Sequence, residues 1–354
     1  MRIGIARETK EGERRVALRP DDVQQLTSEG HEVRVARGAG DGADANDAAY
    51  EHAGARVTND AEAWASELVV KVKEVQPGEL AWARPDTAIF GFQHLVGEPA
   101  AARALAARGN SAIAFERVRD AQGGFPLLSP MSRMAGRIAV REAVRLLGRI
   151  PRDVLVLGAG HAGLAAARAV QALGSRVTVL SRSQVSCDRA ATQLDTGART
   201  ALATAEAIEH HSLAADLVVG AVFAPGEPTP KLLARALVAR MRPGAMIADL
   251  SIDAGGVAET SRATTHAEPT FVAEGVIHYC VPNIPALDPR GASAAIAEAL
   301  LPYVRDIARL GLIPALVGDA GLREAVVLWR GAVCDVAIAA EACLPYTPIS
   351  DCLA

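Results

Sequence analysis

The chain has 354 residues, half of them apolar but only 4% aromatic, and a formal net charge of −4 at pH 7. That length accommodates two domains, each burying a core of Ala, Val, Leu and Ile, a composition suited to parallel sheets covered by helices. The mildly acidic balance, without a basic tract, argues against nucleic acid as the main partner, and no apolar run is long enough to span a bilayer.

The chain opens directly on a strand, Arg2 to Ala6, without a secretory hydrophobic region. Its five cysteines, Cys187, Cys280, Cys334, Cys343 and Cys352, have no metal-ligand spacing. Free thiols in a reducing cytoplasm are therefore expected. A charged loop from Arg7 to Arg15 follows, then a helix from Pro20 that Gly30 terminates. Strands are expected at 31–36, 68–74, 88–92 and 112–115, with helical segments between them. This alternation describes a doubly wound α/β domain without a glycine-rich phosphate loop. Ligands of open parallel sheets sit beyond the carboxyl ends of the strands. Arg15, Lys73 and His94 follow such ends and are candidates to converge there. Each also has a plain structural alternative, as a solvated charge or a hydrogen-bonded histidine.

A helix from Met134 to Leu147 leads to the stretch that organises the second half. The apolar run Val154 to Leu157 ends in Gly158-Ala159-Gly160-His161-Ala162-Gly163, an Ala-rich helical run follows, and Arg176 to Leu180 forms the next strand. In this strand, turn, helix, strand context G-x-G-x-x-G is a dinucleotide fingerprint. Gly158 allows the turn, Gly160 lets backbone N–H groups approach a pyrophosphate, and Gly163 permits close helix packing. The helix N-terminus adds partial positive charge. NAD sites usually carry Asp or Glu at the end of the second strand, whereas this chain has Ser181-Arg182-Ser183. No carboxylate repels a 2′-phosphate there and Arg182 is able to pair with one, so NADP is favoured over NAD. Further strands are expected at 216–222 and 245–250, with Asp253 beyond the latter, and a last one at 278–281 leads to Asn283. A helix from Ala292 to Leu310 carries the chain back, and residues 311–354 are expected to rejoin the first domain.

Across nearly the whole chain, the segments MRIGIARETKEGERRVALRP, VVKVKE, FGFQHL, PLLSPMS, the glycine loop, GAVFAPG with PKL, MIADLSIDAGG and HYCVPNIP resemble the alanine dehydrogenase family. They also resemble the related NAD(H)-binding subunit of nicotinamide nucleotide transhydrogenase. The resemblance implies two Rossmann-like domains with the active site in the cleft: a discontinuous substrate domain, 1–128 plus 305–354, and a dinucleotide domain, 129–304. It implies that Arg15 and Lys73 hold the substrate carboxylate, that His94 is the acid/base group, and that Asp253 lies beside the reacting carbon. Ser132 would approach the cofactor phosphates, with His161, Ala162 and Ser181 also at the cofactor, and Asn283 would line the nicotinamide side. The implied activity is reversible oxidative deamination of L-alanine or a similar small amino acid by a soluble homo-oligomer, dimer or hexamer. Lys73, typically missing from the transhydrogenase subunit, favours the dehydrogenase branch. Ser181 in place of the usual acid, and Arg133 where the family normally has Glu, keep open an NADP-dependent imine or amino-acid reductase on another substrate.

Overall fold

The computed structural model describes residues 1–222 and 229–353. The chain divides into two compact units, Met1–Met131 with Asp288–Ala354, and Ser132–Leu287. The first unit contains β1 (Arg2–Ile5), β2 (Glu32–Ala36), β3 (Arg56–Thr58), β4 (Leu68–Val70), β5 (Ala88–Gly91) and β6 (Ser111–Ala114). The second contains β7 (Asp153–Leu157), β8 (Arg176–Ser181), β9 (Arg199–Leu202), β10 (Leu217–Gly220), β11 (Met246–Asp249), β12 (Thr270–Ala273) and β13 (Val276–Tyr279). The chain then returns to the first unit with β14 (Val326–Trp329) and β15 (Ala332–Val333).

The first sheet has the order β15-β14-β6-β5-β4-β1-β2-β3 and the second β12-β13-β11-β10-β7-β8-β9. Within each, the order reverses beside the first strand, between β1 and β4 or between β7 and β10, as in doubly wound α/β domains. The central strands are parallel and wholly buried, with every residue of β4, β5, β10 and β11 inaccessible. Such strands, covered on both faces, require continuous Val, Leu and Ile rather than alternation.

Three features depart from the expected layout. The strand expected over 68–74 stops at Val70, because side chains capture the backbone groups of residues 72–74. The last strands are antiparallel additions, β14 pairing with β6 and β15 with β14. Residues 288–304, expected in the dinucleotide domain, fall in the first unit. There the Ser293 hydroxyl accepts the Val16 N–H at 2.9 Å, and Ile296, Leu300 and Val304 lie on the buried face of the Pro289–Leu310 helix.

Candidate active site

In the first unit, β1 and β4 adjoin at the reversal of strand order, so the loops beyond them leave the same edge of the sheet. Arg15, on the loop after β1, is buried. Its Nε and Nη2 donate to the Glu13 carboxylate at 2.7 and 2.5 Å, and Nη1 lies 3.3 Å from Met131 Sδ. One edge of the guanidinium fork is thereby fixed by a buried carboxylate, which sets the plane of the remaining donors. Lys73 follows β4, with its ammonium 4.0 Å from Glu74 and its side chain 12% exposed. Burial pushes its pKa below the ordinary lysine value. Glu74 opposes this, while the charges of Arg15 and Lys10 add to it. Arg15 and Lys73 thus belong to one electrostatic cluster with Lys10, Glu13 and Glu74. Burial would raise the Glu74 pKa, but the hydrogen bond from Lys10 and the charge of Lys73 outweigh it and hold the carboxyl at about 2.

His94 stands one strand further along, beyond β5. Its backbone is left-handed, with φ 43°. The Glu116 carboxylate secures this turn, accepting the His94 N–H at 2.8 Å and the Gln93 N–H at 3.2 Å. The imidazole is half exposed, stacks on Phe92 at 5.7 Å with planes 4° apart, and has Nδ1 3.8 Å from Glu116. A histidine that is fixed on one side and open on the other can exchange protons. Four supporting side chains were not among the sequence candidates: Glu13, Glu116, and the buried pair Lys71 and Glu8 beside Lys73. Glu13 stood two residues from Arg15 in the same charged loop, while Glu116 and Glu8 act across the fold and leave no local pattern.

In the second unit, the loop after β7 sits at the other reversal point. Gly158 has φ 109°, and a Cβ there would lie 2.3 Å from the Ala221 carbonyl oxygen. A Cβ on Gly163 would lie 1.9 Å from the Gly158 carbonyl oxygen, so this glycine lets the helix close on the strand. Gly160 differs, since a Cβ there would meet nothing within 4 Å. The loop is held tight by two glycines and open at the third, a fit for a ligand whose phosphates approach backbone N–H groups.

His161, exposed, and Ala162, half buried, begin the His161–Ala172 helix. Burial, then the charges of Arg133 and Arg189, push the His161 pKa down, so the helix N-terminus is flanked by guanidinium groups. Arg189 also donates to the Ala159 carbonyl at 3.2 Å. Ser132, half buried, lies on the Leu128–Leu147 helix. That helix touches the glycine-loop helix where a Cβ on Gly136 would come within 2.1 Å of the Ala162 carbonyl oxygen. Ser181 ends β8, half buried, and Arg182 beside it is exposed without an ion pair among the described residues.

Asp253 is exposed on the Ile252–Ala254 turn after β11. Two unforeseen side chains brace that loop. Lys231 donates to the carbonyls of Gly255, Gly256 and Ala258 at 2.5, 3.0 and 3.1 Å. Buried Asp249 accepts from the Ser251 and Val257 N–H groups at 3.1 and 2.8 Å and from the Ser261 hydroxyl at 2.6 Å. Asn283 has left-handed backbone, φ 56°. Residues 223–226 of the GAVFAPG segment lie outside the described residues. Among the described residues no helix is long and apolar enough to cross a membrane, and no cluster of His, Cys, Asp and Glu is arranged for a metal.

Residues 4–135 match the model of the alanine dehydrogenase/PNT N-terminal domain, and residues 137–336 that of the C-terminal domain. The chain is 39% identical over 336 residues to the alanine dehydrogenase of Halomonas elongata, covering 90% of this chain and 91% of that one. A solved L-alanine dehydrogenase superimposes with a TM-score of 0.91 at 34% identity over the full length of both chains. A solved transhydrogenase from Sinorhizobium meliloti gives 0.83 at 26% identity, covering 95% of this chain and all of that one.

Proposed function

Because this chain belongs to the alanine dehydrogenase/PNT family, we propose that it is an amino-acid dehydrogenase that interconverts L-alanine, or a similarly small amino acid, with the 2-oxo acid and ammonia. We further propose NADP as its preferred cofactor. One observation carries the reading: buried Arg15 and the largely covered Lys73 follow adjacent strands at the reversal point of the first sheet, close enough for the charge of Arg15 to act on Lys73. This is a site for a small carboxylate, and a protein that passes reducing equivalents only between nucleotides has no use for it.

In this reading Arg15 presents its guanidinium, its plane set by Glu13, to the substrate carboxylate, and Lys73 supplies the second cation. Together they fix the carboxylate and so orient the α-carbon. His94 takes up and returns the proton as water adds to the imino carbon and ammonia leaves. Asp253 stabilises the cationic nitrogen, its loop stiffened by Lys231 and Asp249. The N–H groups around Gly160 to Gly163, with Ser132, hold the cofactor phosphates. Asn283 lies toward the nicotinamide. Arg182 meets the 2′-phosphate where an acid would repel it. The bound nicotinamide supplies the two-electron chemistry.

A panel of 2-oxo acids with ammonium, assayed with NADPH and with NADH, tests this. Consumption of NADPH with pyruvate or a close analogue is expected. Turnover confined to a bulky oxo acid or cyclic imine would favour the specialised reductase. Tight nucleotide binding without turnover across the panel would favour the transhydrogenase-type subunit.

A further inference from the structure

We propose that Lys71, gripped by Glu8 and Glu79, is a positioning residue that aims Lys73; this rests on reading Lys73 as a ligand of the substrate carboxylate. Lys71 is the first residue beyond β4 and its side chain is wholly buried. Its ammonium pairs with Glu8 at 3.2 Å and Glu79 at 3.0 Å. It also donates to the carbonyls of Lys73 and Glu74 at 2.9 and 3.1 Å. Glu8 grips the same bend from its other side, accepting the Val72 N–H at 2.6 Å and the Lys73 N–H at 3.3 Å. Two buried side chains therefore hold the peptide groups on both sides of the Lys73 Cα.

The rest of the arrangement keeps Lys71 in this pose. Glu79 is itself oriented by the Thr9 hydroxyl at 2.7 Å and the Gln76 N–H at 2.8 Å. Gly91 on β5 leaves the space: a Cβ there would stand 2.8 Å from the Lys71 carbonyl oxygen and 3.2 Å from its Cγ. An ammonium serving only as a counter-ion would be satisfied by its two carboxylates. Here its donors are divided between those carboxylates and the backbone of the residue that faces the substrate, and a buried, fully satisfied network of this kind rigidifies what it holds. The Lys73 ammonium meanwhile stands among Glu74, Arg15, Lys10 and Glu13, so a small change in its aim alters both its reach and its titration.

The test uses Lys71→Met and the milder Glu79→Gln, whose single amide oxygen keeps an acceptor for Lys71 and the Gln76 N–H while its NH2 turns to the Thr9 hydroxyl oxygen, with Lys73→Met as reference, all in the full-length enzyme. We expect Lys71→Met to raise KM for the 2-oxo acid at least tenfold and Glu79→Gln severalfold. Both should displace the alkaline limb of the KM–pH profile, with the NADPH Kd changing less than twofold. Unchanged KM and an unmoved limb in a folded Lys71→Met protein would overturn the proposal, as would equal losses in KM and NADPH affinity, the mark of a general structural role. If Lys71→Met does not fold, Glu79→Gln decides by the same criteria. An unchanged KM in Lys73→Met would instead sink the carboxylate-site reading itself.

Discussion

At the scale of single residues, the account turns on charges placed where water is scarce. Lys73 must be protonated to hold a carboxylate, and its pKa is depressed from 10.5 by burial and by Arg15 and Lys10. Affinity for the 2-oxo acid should therefore be retained at neutral pH and fall as pH rises through a pKa below 10.5, read from KM across an alkaline pH series. The sign for stability is opposite. A lysine whose folded pKa is lowered gives up its proton earlier in the native state, so its contribution improves as pH rises between the lowered value and 10.5. At the other lobe, the proposed NADP preference predicts that Ser181→Asp combined with Arg182→Ala shifts the NADH-to-NADPH ratio of kcat/KM toward NADH by at least tenfold, since a carboxylate there repels the 2′-phosphate. Parallel initial rates with the two cofactors check this. Strand-end position made Arg15, Lys73 and His94 candidates in sequence, and their proposed roles come from the family resemblance. Their supports were not legible, because Glu8 and Glu116 act on backbone groups 64 and 22 residues away.

At the scale of elements, the glycine loop is tightly packed at Gly158 and Gly163 and open at Gly160, where the proposed cofactor would approach. Gly163→Ala places a methyl 1.9 Å from a backbone oxygen and should destabilise the fold by about 1–3 kcal/mol, as overpacking does. Gly160→Ala adds its methyl to open space at φ −81°. It should leave the melting temperature unchanged while weakening NADPH binding at least tenfold, because the methyl occupies the approach to the N–H groups. Thermal melts and fluorescence titration of both variants distinguish the two roles. The sequence indicated this loop correctly because the relevant forces are local: a β-branched run, a turn that requires Gly158, and a helix beginning within the next residues. Strand limits were less legible. The apolar pattern of Leu68 to Glu74 continues past Val70, but the strand ends there, where the Glu8 carboxylate takes the Val72 N–H and the Lys71 ammonium the Lys73 carbonyl.

At the scale of the whole molecule, the two α/β units were evident from alternating strand and helix signals, and the return of the C-terminal segment to the first unit followed from its lack of a sheet of its own. Its antiparallel pairing was not readable, since β14 and β6 are separated by the whole second unit and pairing partners carry no sequence address. The helix expected from Ala292 to Leu310 forms as Pro289–Leu310, but its sequence did not show which core it covers. If the second unit is the cofactor domain, NADPH at a hundred times its Kd should stabilise the native protein by about 2.7 kcal/mol. The resulting rise in melting temperature should be lost on removing the ligand, and smaller with NADH. Comparing wild type with Lys73→Ala and His94→Ala, for NADPH consumption with pyruvate and ammonium and for NADPH affinity by fluorescence, tests the central claim most directly. The account predicts rapid consumption by wild type, a loss of at least a hundredfold in kcat/KM in each variant, and NADPH affinity within twofold throughout; undiminished turnover in both variants would contradict it.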